Sequence, residues 1–389
     1  MKTWLQPPRL RIHEDDQPRH ATWLELFYDL LFVVAVSQLA HNLSQDVSVV
    51  GFFSFVALFL PVWWAWIGTT FYANRFDSDD SGRRLLMGLQ MLAIAALAVN
   101  IHHGLGETSF GFALSYAAAR FILVFEYLWA GKHIPTARGL AYYYAGGFAI
   151  AAAIWLVSAW VPMPFRFILW AIGLAIDFAT PLTAQKYQRQ LLPHLEHLPE
   201  RFGLFVIIVL GEAIIAVVSG IAEVNWQAMC ALAAIFGFVI AFSLWWLYFE
   251  NVGGASLRKA GTAGRIFIFQ VWLYAHLPLV MGLAATGVGV EHVIISSQEN
   301  QALPSAERWL MCGSVALCFL SLGLLHRTGI IKLCKMRTRH RLGAVGVLLG
   351  LAIAGINLLP LTVIAIVAII CLGEVLLDIY QGRPVVTEQ

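Results

Sequence analysis

The chain contains about twelve apolar runs that are long enough to cross a bilayer, with polar connectors between them. Runs of about 20 apolar residues match the roughly 30 Å hydrocarbon core of a membrane. Because the apolar residues are continuous and do not alternate with polar ones, they predict helices and exclude a membrane β-barrel. The sequence therefore predicts an all-α polytopic membrane protein with about twelve transmembrane helices. The runs lie at 22–42, 49–72, 85–103, 108–130, 139–161, 167–182, 202–221, 226–250, 266–289, 309–326, 342–358 and 360–380.

Basic residues are divided unequally between the connectors. The N-terminus, every second connector and the C-terminus together hold 22 of the 25 Lys and Arg residues. The other connectors hold only Arg166 and Arg308, and Arg120 alone lies inside a run. Since cytoplasmic loops carry an excess of Lys and Arg, this division predicts that both termini are cytoplasmic.

The composition agrees with a membrane protein and limits its partners. With 59% hydrophobic and 12% charged residues, the chain has too little polar surface for a soluble globular protein. The net charge of +2 suits connectors close to anionic lipid headgroups, and we expect membrane lipids and no nucleic acid as partners. Six Lys and Arg between 327 and 341 either bind such headgroups or only orient the chain.

No motif for a cofactor, a metal or a secretory signal is found. The five cysteines do not have the spacing of a disulfide framework or a metal cage. The first residues are polar and acidic, which predicts that no signal peptide precedes the first run. We therefore expect no cofactor and no metal.

Several landmarks recur between the two halves of the chain at a shift of 182 or 183 residues. Asp29 corresponds to Glu212, and Arg83 to Arg265, while the Trp pair at 63–64 recurs at 245–246. Six runs per half is an even number, so this repeat predicts two parallel halves related by an axis along the membrane normal, as in two-halved transporters. The predicted parts are an N-terminal segment at 1–21, halves at 22–182 and 202–380, a linker at 183–201 and a tail at 381–389.

Three segments resemble the bacterial low temperature requirement protein A family. They are WLELFYDLLFVVAVSQL at 23–39, LGEAII at 210–215 and YAHLPL at 274–279. The resemblance extends over about residues 20–380. It implies a protein of the bacterial cytoplasmic (inner) membrane that is linked by name to growth in the cold, and it assigns no substrate or catalytic residue.

The candidate functional residues are the ionisable side chains inside the apolar runs. Each costs at least about 2.5 to 3.5 kcal/mol to insert, so it needs a partner, a proton or a function. Acids outnumber bases there, and such acids bind protons or cations readily. Glu25 lies four residues before Asp29, which places both on one helix face. The candidates for transport or coupling are Asp29, Glu212, Arg120, Glu374, Asp177, His276 and Glu25.

Each candidate also has a structural interpretation. Asp29 and Glu212 can have a structural role through hydrogen bonds to helix ends or to Arg120. Arg120 can neutralise any one of the four acids deep in the runs, which are Asp29, Asp177, Glu212 and Glu374. His276 can be a core histidine beside Pro278 whose hydrogen bonds are satisfied. Acids near the ends of runs, such as Glu126 and Asp378, can reach water or loop arginines. His194 and His197 lie in the predicted linker, where we expect them to be solvated. His41, Asp46, His102, His103 and Glu107 can form an outer cluster that is either solvated or a site for metal or protons.

These features favour a proton- or cation-coupled transporter, or a permeation pathway, for a small solute. Protons or monovalent cations are the expected ions, and the sequence does not identify the solute or an oligomeric state. The alternatives are a membrane-embedded enzyme that acts on lipid and a structural or stress-adaptation protein without transport. A structural role has no need of several buried acids.

Overall fold

The computed structural model describes residues 6–11, 21–77, 80–191, 197–224, 226–250, 266–327 and 332–382. Within these ranges the chain forms twelve long α-helices, one short α-helix and a 3-10 helix at Pro135–Ala137, which confirms the predicted all-helical class. The helices are α1 (Trp23–Gln45), α2 (Val49–Arg75), α3 (Ser81–Val99), α4 (Ser109–His133), α5 (Arg138–Ser158), α6 (Phe165–Thr183), α7 (Gln185–Gln188), α8 (His197–Glu223), α9 (Ala228–Phe249), α10 (Ile266–Ser296), α11 (Ser305–Arg327), α12 (Lys332–Ala354) and α13 (Pro360–Gly382).

Among the described residues, eleven helices are long and apolar enough to cross a membrane. Of the twelve long helices, only α12 falls outside this set. It has the necessary length, but five Lys and Arg lie within its first ten residues. Large apolar side chains such as Leu92, Val218 and Ile369 point outward on the other helices. Such an apolar surface is unsuited to water and is what a lipid bilayer requires.

The chain divides into two compact units. The first unit contains α1 up to Leu39, α2 from Ser54, the helices α3 to α7 and the start of α8 up to Phe205. A short antiparallel pair of strands, β1 (Arg9–Leu10) and β2 (Phe76–Asp77), also belongs to this unit. The second unit contains the end of α1, the start of α2, α8 from Val206 and the helices α9 to α13.

Aromatic packing forms much of the core of the first unit. Trp64 stacks on Phe178 with ring centroids 4.0 Å apart, and Trp155 stacks on Trp170 at 4.7 Å. Both members of the Trp pair at 63–64 are buried. Aromatic pairs of this kind add about 0.5 to 1.5 kcal/mol beyond the area that they bury. The first Trp pair therefore contributes to helix packing.

Helices approach closely where glycine faces a neighbouring helix. A Cβ added to Gly68 on α2 would lie 2.6 Å from Arg120 Nη1 on α4. In the second unit, a Cβ added to Gly287 on α10 would lie 3.0 Å from the Ala213 Cα on α8. A larger residue at Gly68 would displace the Arg120 side chain, whereas one at Gly287 would press on the backbone of α8, where a small residue permits close helix packing.

Candidate functional site

Four charged or titratable side chains meet between α1 and α8 in the first unit, and we call them the first quartet. Glu25 and Asp29 lie one turn apart on α1, and His197 and Arg201 lie one turn apart on α8. Arg201 Nη2 donates to Asp29 Oδ1 at 2.7 Å, and His197 Nε2 lies 3.4 Å from Glu25 Oε2. The exposed fractions are 4%, 1%, 0% and 1% in chain order. Spacing by four residues on both helices aligns the two acids with the two bases.

Helix α2 supplies further partners of the first quartet. Trp66 Nε1 donates to Asp29 Oδ1 at 2.9 Å, and the Asn74 side-chain amide lies 3.2 Å from His197 Nδ1. Asp29 therefore uses one carboxylate oxygen for two hydrogen bonds. Its other oxygen, Oδ2, is buried and has no hydrogen-bond partner among the described residues, and the same holds for Nε and Nη1 of Arg201. The ion pair between Asp29 and Arg201 is therefore buried, but three of its polar atoms have no hydrogen-bond partner among the described residues.

A cavity of about 560 Å³ reaches the first quartet from the N-terminal end of α1. Glu25 is part of its wall, and Asp29 lies one turn deeper along the same helix. Arg83 also lines the cavity and forms an ion pair with buried Glu126. The remaining wall is mixed, with Thr22, Trp23, Leu24, Phe27, Ala73, Phe76, Asp77, Arg84 and Met87.

The sequence leaves open which of the four deep acids Arg120 neutralises. In the structure, Arg120 is paired with Asp177. Arg120 on α4 forms an ion pair with Asp177 on α6, and both side chains are buried. Tyr116 donates its hydroxyl to the other Asp177 oxygen at 2.6 Å. Arg120 also lies over the Phe148 ring at 4.3 Å. Both oxygens of this acid are satisfied, and neither residue is part of the cavity wall.

The second unit contains an arrangement with the same spacing, and we call it the second quartet. Glu374 and Asp378 lie one turn apart on α13, and Arg337 and Arg341 lie one turn apart on α12. Arg341 forms ion pairs with both Glu374 and Asp378, the latter at 2.6 Å. Arg337 Nε lies 3.4 Å from Asp378 Oδ1. Arg341 is 0% exposed.

The other two candidates of the second unit are also buried. Glu212 lies on α8 with its side chain inside the unit. His276 on α10 has a contact at each ring nitrogen: Nδ1 lies 2.7 Å from the Trp272 carbonyl oxygen, and Nε2 lies 3.1 Å from the Tyr248 hydroxyl. These contacts are those of a satisfied core histidine.

The sequence interpretation missed most of the buried bases. It counted Arg120 as the one base inside the membrane and expected a solvated His197, but Arg201, Arg341 and His197 are all buried. The cause is that helices continue beyond the apolar runs, so that α8 begins five residues before its run and α12 begins ten residues before its run. Spacing by four residues in both acids and bases is the signal that could have found them.

The outer cluster and two other residues named from the sequence remain to be located. Within the described part of the chain, no group of three or more His, Cys, Asp or Glu side chains could hold a metal ion, so the outer cluster is not gathered into a metal site. His194 and Arg265 lie outside the described residues.

Comparison with known proteins identifies the family. A family model described as bacterial low temperature requirement A protein (LtrA) matches residues 20–380. The chain belongs to this family. Together with the eleven apolar helices, membership makes it an integral membrane protein. An uncharacterized protein of Rhizobium meliloti (strain 1021) is 28% identical to this LtrA family member over 291 residues, which cover 72% of this chain and 71% of that protein. No solved structure matches the chain.

Proposed function

We propose that the protein is a proton- or cation-coupled transporter, or a permeation pathway, for a small solute in the bacterial inner membrane. One observation carries this proposal: Glu25 lines a cavity, and the next acid along the same helix face, Asp29, is buried with one carboxylate oxygen that has no hydrogen-bond partner among the described residues.

The energetic argument starts from the cost of burying charge. Removing a carboxylate and a guanidinium from water costs several kcal/mol per ion, and good geometry must offset this cost. Asp177 meets that condition because Arg120 and Tyr116 satisfy its two oxygens. Nε and Nη1 of Arg120, like those of Arg201, have no hydrogen-bond partner among the described residues, so the two pairs differ in their acids. Asp29 does not meet it, although its pair with Arg201 is just as deeply buried. Incomplete pairing beside a cavity is expected where an acid must exchange a proton or a cation.

Flux measurements on the reconstituted full chain test this proposal. Liposomes that contain the protein and a trapped pH-sensitive dye receive a pH gradient, or a sodium or potassium gradient, with the membrane potential clamped. We expect faster flux than in protein-free liposomes for at least one ion. The variants Asp29→Asn and Glu25→Gln should lower that flux at least about tenfold, since the intramembrane charge that carries the ion is lost.

The matched control is Glu107→Gln, the same chemical change at an exposed acid, and it should leave the flux unchanged. Folding of each variant is checked by its elution and melting temperature in detergent. Lipid turnover in micelles without any ion flux in liposomes would contradict the proposal, because no gradient exists in micelles and the protein would then be an enzyme.

A further inference from the structure

The cavity that Glu25 lines is formed where three helix ends of the first unit meet. Its wall combines the start of α1, the segment at the end of α2 and the start of α3. This wall carries both signs of charge, with the acids Glu25 and Asp77 and the bases Arg83 and Arg84. A ligand that has one positive and one negative group therefore finds an opposite charge for each of them.

These charged groups can bind a ligand while they keep their pairs within the protein. Arg83 pairs with Glu126, and Asp77 pairs with Arg11. A guanidinium has five N–H donors and a carboxylate accepts about four hydrogen bonds, so a single ion pair does not use all of them. Arg84 is exposed and Asp77 is partly exposed, which leaves both within reach of a ligand in the cavity.

An exposed apolar stripe begins at this cavity and continues along α1. Trp23 and Phe27 line the cavity, and Leu30 and Val34 follow on the same helix face, since three or four residues separate each from the next. All four side chains are more than half exposed. At 1.5 Å per residue this stripe is about 16 Å long. One leaflet of a membrane has a hydrocarbon depth of about 15 Å.

Helix α3 carries a second exposed apolar stripe with similar spacing. Its members are Leu85, Leu89, Leu92 and Val99. The same helix contributes two bases to the cavity wall. Both helices therefore lead from a charged cavity to an apolar surface about one leaflet deep. A phospholipid has its groups in this order, with a charged headgroup followed by acyl chains.

Two other cavities do not combine charge with an apolar surface. One of about 450 Å³ in the second unit is lined by Val217, Phe238 and other apolar residues, and one of about 560 Å³ in the first unit is lined by Leu60, Phe167 and similar residues. Neither wall has a charged side chain among the described residues. Such walls suit acyl chains but offer nothing to a charged headgroup.

We propose that the cavity at Glu25 binds the headgroup of a zwitterionic phospholipid with a primary amine, whose acyl chains lie along the stripes of α1 and α3. The phosphate accepts from Arg83 and Arg84, and the ammonium donates to Glu25 and Asp77. Trp23 lies at the start of α1, where an indole ring is favoured at the headgroup level. An anionic headgroup without an amine leaves the two acids without a donor.

Native mass spectrometry of the full chain in micelles measures this binding. Phosphatidylethanolamine, phosphatidylglycerol and phosphatidylcholine with the same acyl chains are titrated separately. We expect phosphatidylethanolamine to bind about fivefold or more tightly than the other two, which corresponds to about 1 kcal/mol. Phosphatidylglycerol lacks the positive group, and the choline group lacks N–H donors. Glycerophosphoethanolamine, which has the headgroup without the chains, should not displace the lipid at equal concentration.

Two substitutions separate recognition of the phosphate from recognition of the amine. Arg84→Gln should weaken binding of all three lipids several-fold, because each of them has the phosphate. Asp77→Asn should lower only the preference for phosphatidylethanolamine, and Glu25→Gln provides the same test should Asp77→Asn fail to fold. The matched controls Arg189→Gln and Asp46→Asn change exposed residues outside the cavity wall and should have no effect.

Equal affinity for the three lipids, unchanged by these substitutions, would show ordinary lipid around the protein only and would overturn the site. Tighter binding of phosphatidylglycerol than of phosphatidylethanolamine would overturn the zwitterionic class. Displacement by glycerophosphoethanolamine at equal concentration would overturn the part of the acyl chains. The lipid site does not depend on the proposed transport function, since ion flux is not part of any of these measurements.

Discussion

At the scale of single residues, the acids of two buried ion pairs in the first unit differ in how many of their carboxylate oxygens have a hydrogen-bond partner. Asp177 has Arg120 on one oxygen and Tyr116 on the other. Asp29 has Arg201 and Trp66 on the same oxygen, which leaves the second oxygen without a partner among the described residues. Asp177 is therefore held through both of its carboxylate oxygens, and Asp29 through one.

Removal of Arg201 should destabilise the protein strongly. Arg201→Ala leaves the two acids of α1 without their fixed positive charge, at a cost of about 3 to 5 kcal/mol by analogy with other broken buried pairs. The double variant Arg201→Ala with Asp29→Asn should recover much of this loss, because one acid charge is removed as well. Thermal unfolding in detergent measures both effects.

The matched control for this prediction is Arg189→Ala, which removes an exposed arginine and should leave the melting temperature nearly unchanged. If the second replacement gives no recovery, the destabilisation arises from lost packing of the arginine stem, and Asp29 is not its energetic partner.

At the scale of helices, the apolar runs predict where each helix crosses the membrane but not where it begins. The helix α8 starts at His197 and α12 at Lys332, so one to three turns of helix precede the apolar run. The bases on these turns are buried against acids of a neighbouring helix, as Arg201 and Arg341 show. Hydropathy cannot detect this burial, since the cost of a charge depends on a partner that is distant in sequence.

The two arginines of α12 should differ in their contribution to stability. Arg341 is fully buried and contacts both acids of α13, whereas Arg337 has a side chain 14% exposed and lies 3.4 Å from Asp378. Arg341→Ala should therefore cost about 3 to 5 kcal/mol, while Arg337→Ala should cost about 1 kcal/mol or less, as a partly solvated pair does.

Comparison of these two variants in the same detergent and at the same salt concentration serves as an internal control. Equal losses would contradict the assignment of Arg341 as the central cation of the second quartet.

At the scale of the whole molecule, the sequence predicted the helical membrane class and the family from continuous runs and three motifs, and both are confirmed. The charge quartets could not be predicted, because they depend on which helices pack together. The twofold repeat between 22–182 and 202–380 stays a prediction, as do the cytoplasmic termini and the inner membrane. The second quartet resembles the first in spacing, but its residues lie on α12 and α13, whereas those of the first lie on α1 and α8.

The most direct test of this account is ion flux through the Asp29→Asn variant in liposomes. This change removes the charge of a buried acid and nearly keeps the size of its side chain, so the variant should still fold. Its flux, under the gradient that drives flux in the wild type, should fall at least about tenfold. The double variant Arg120→Leu with Asp177→Asn, away from the cavity wall, should retain flux. Wild-type flux in Asp29→Asn would contradict the account.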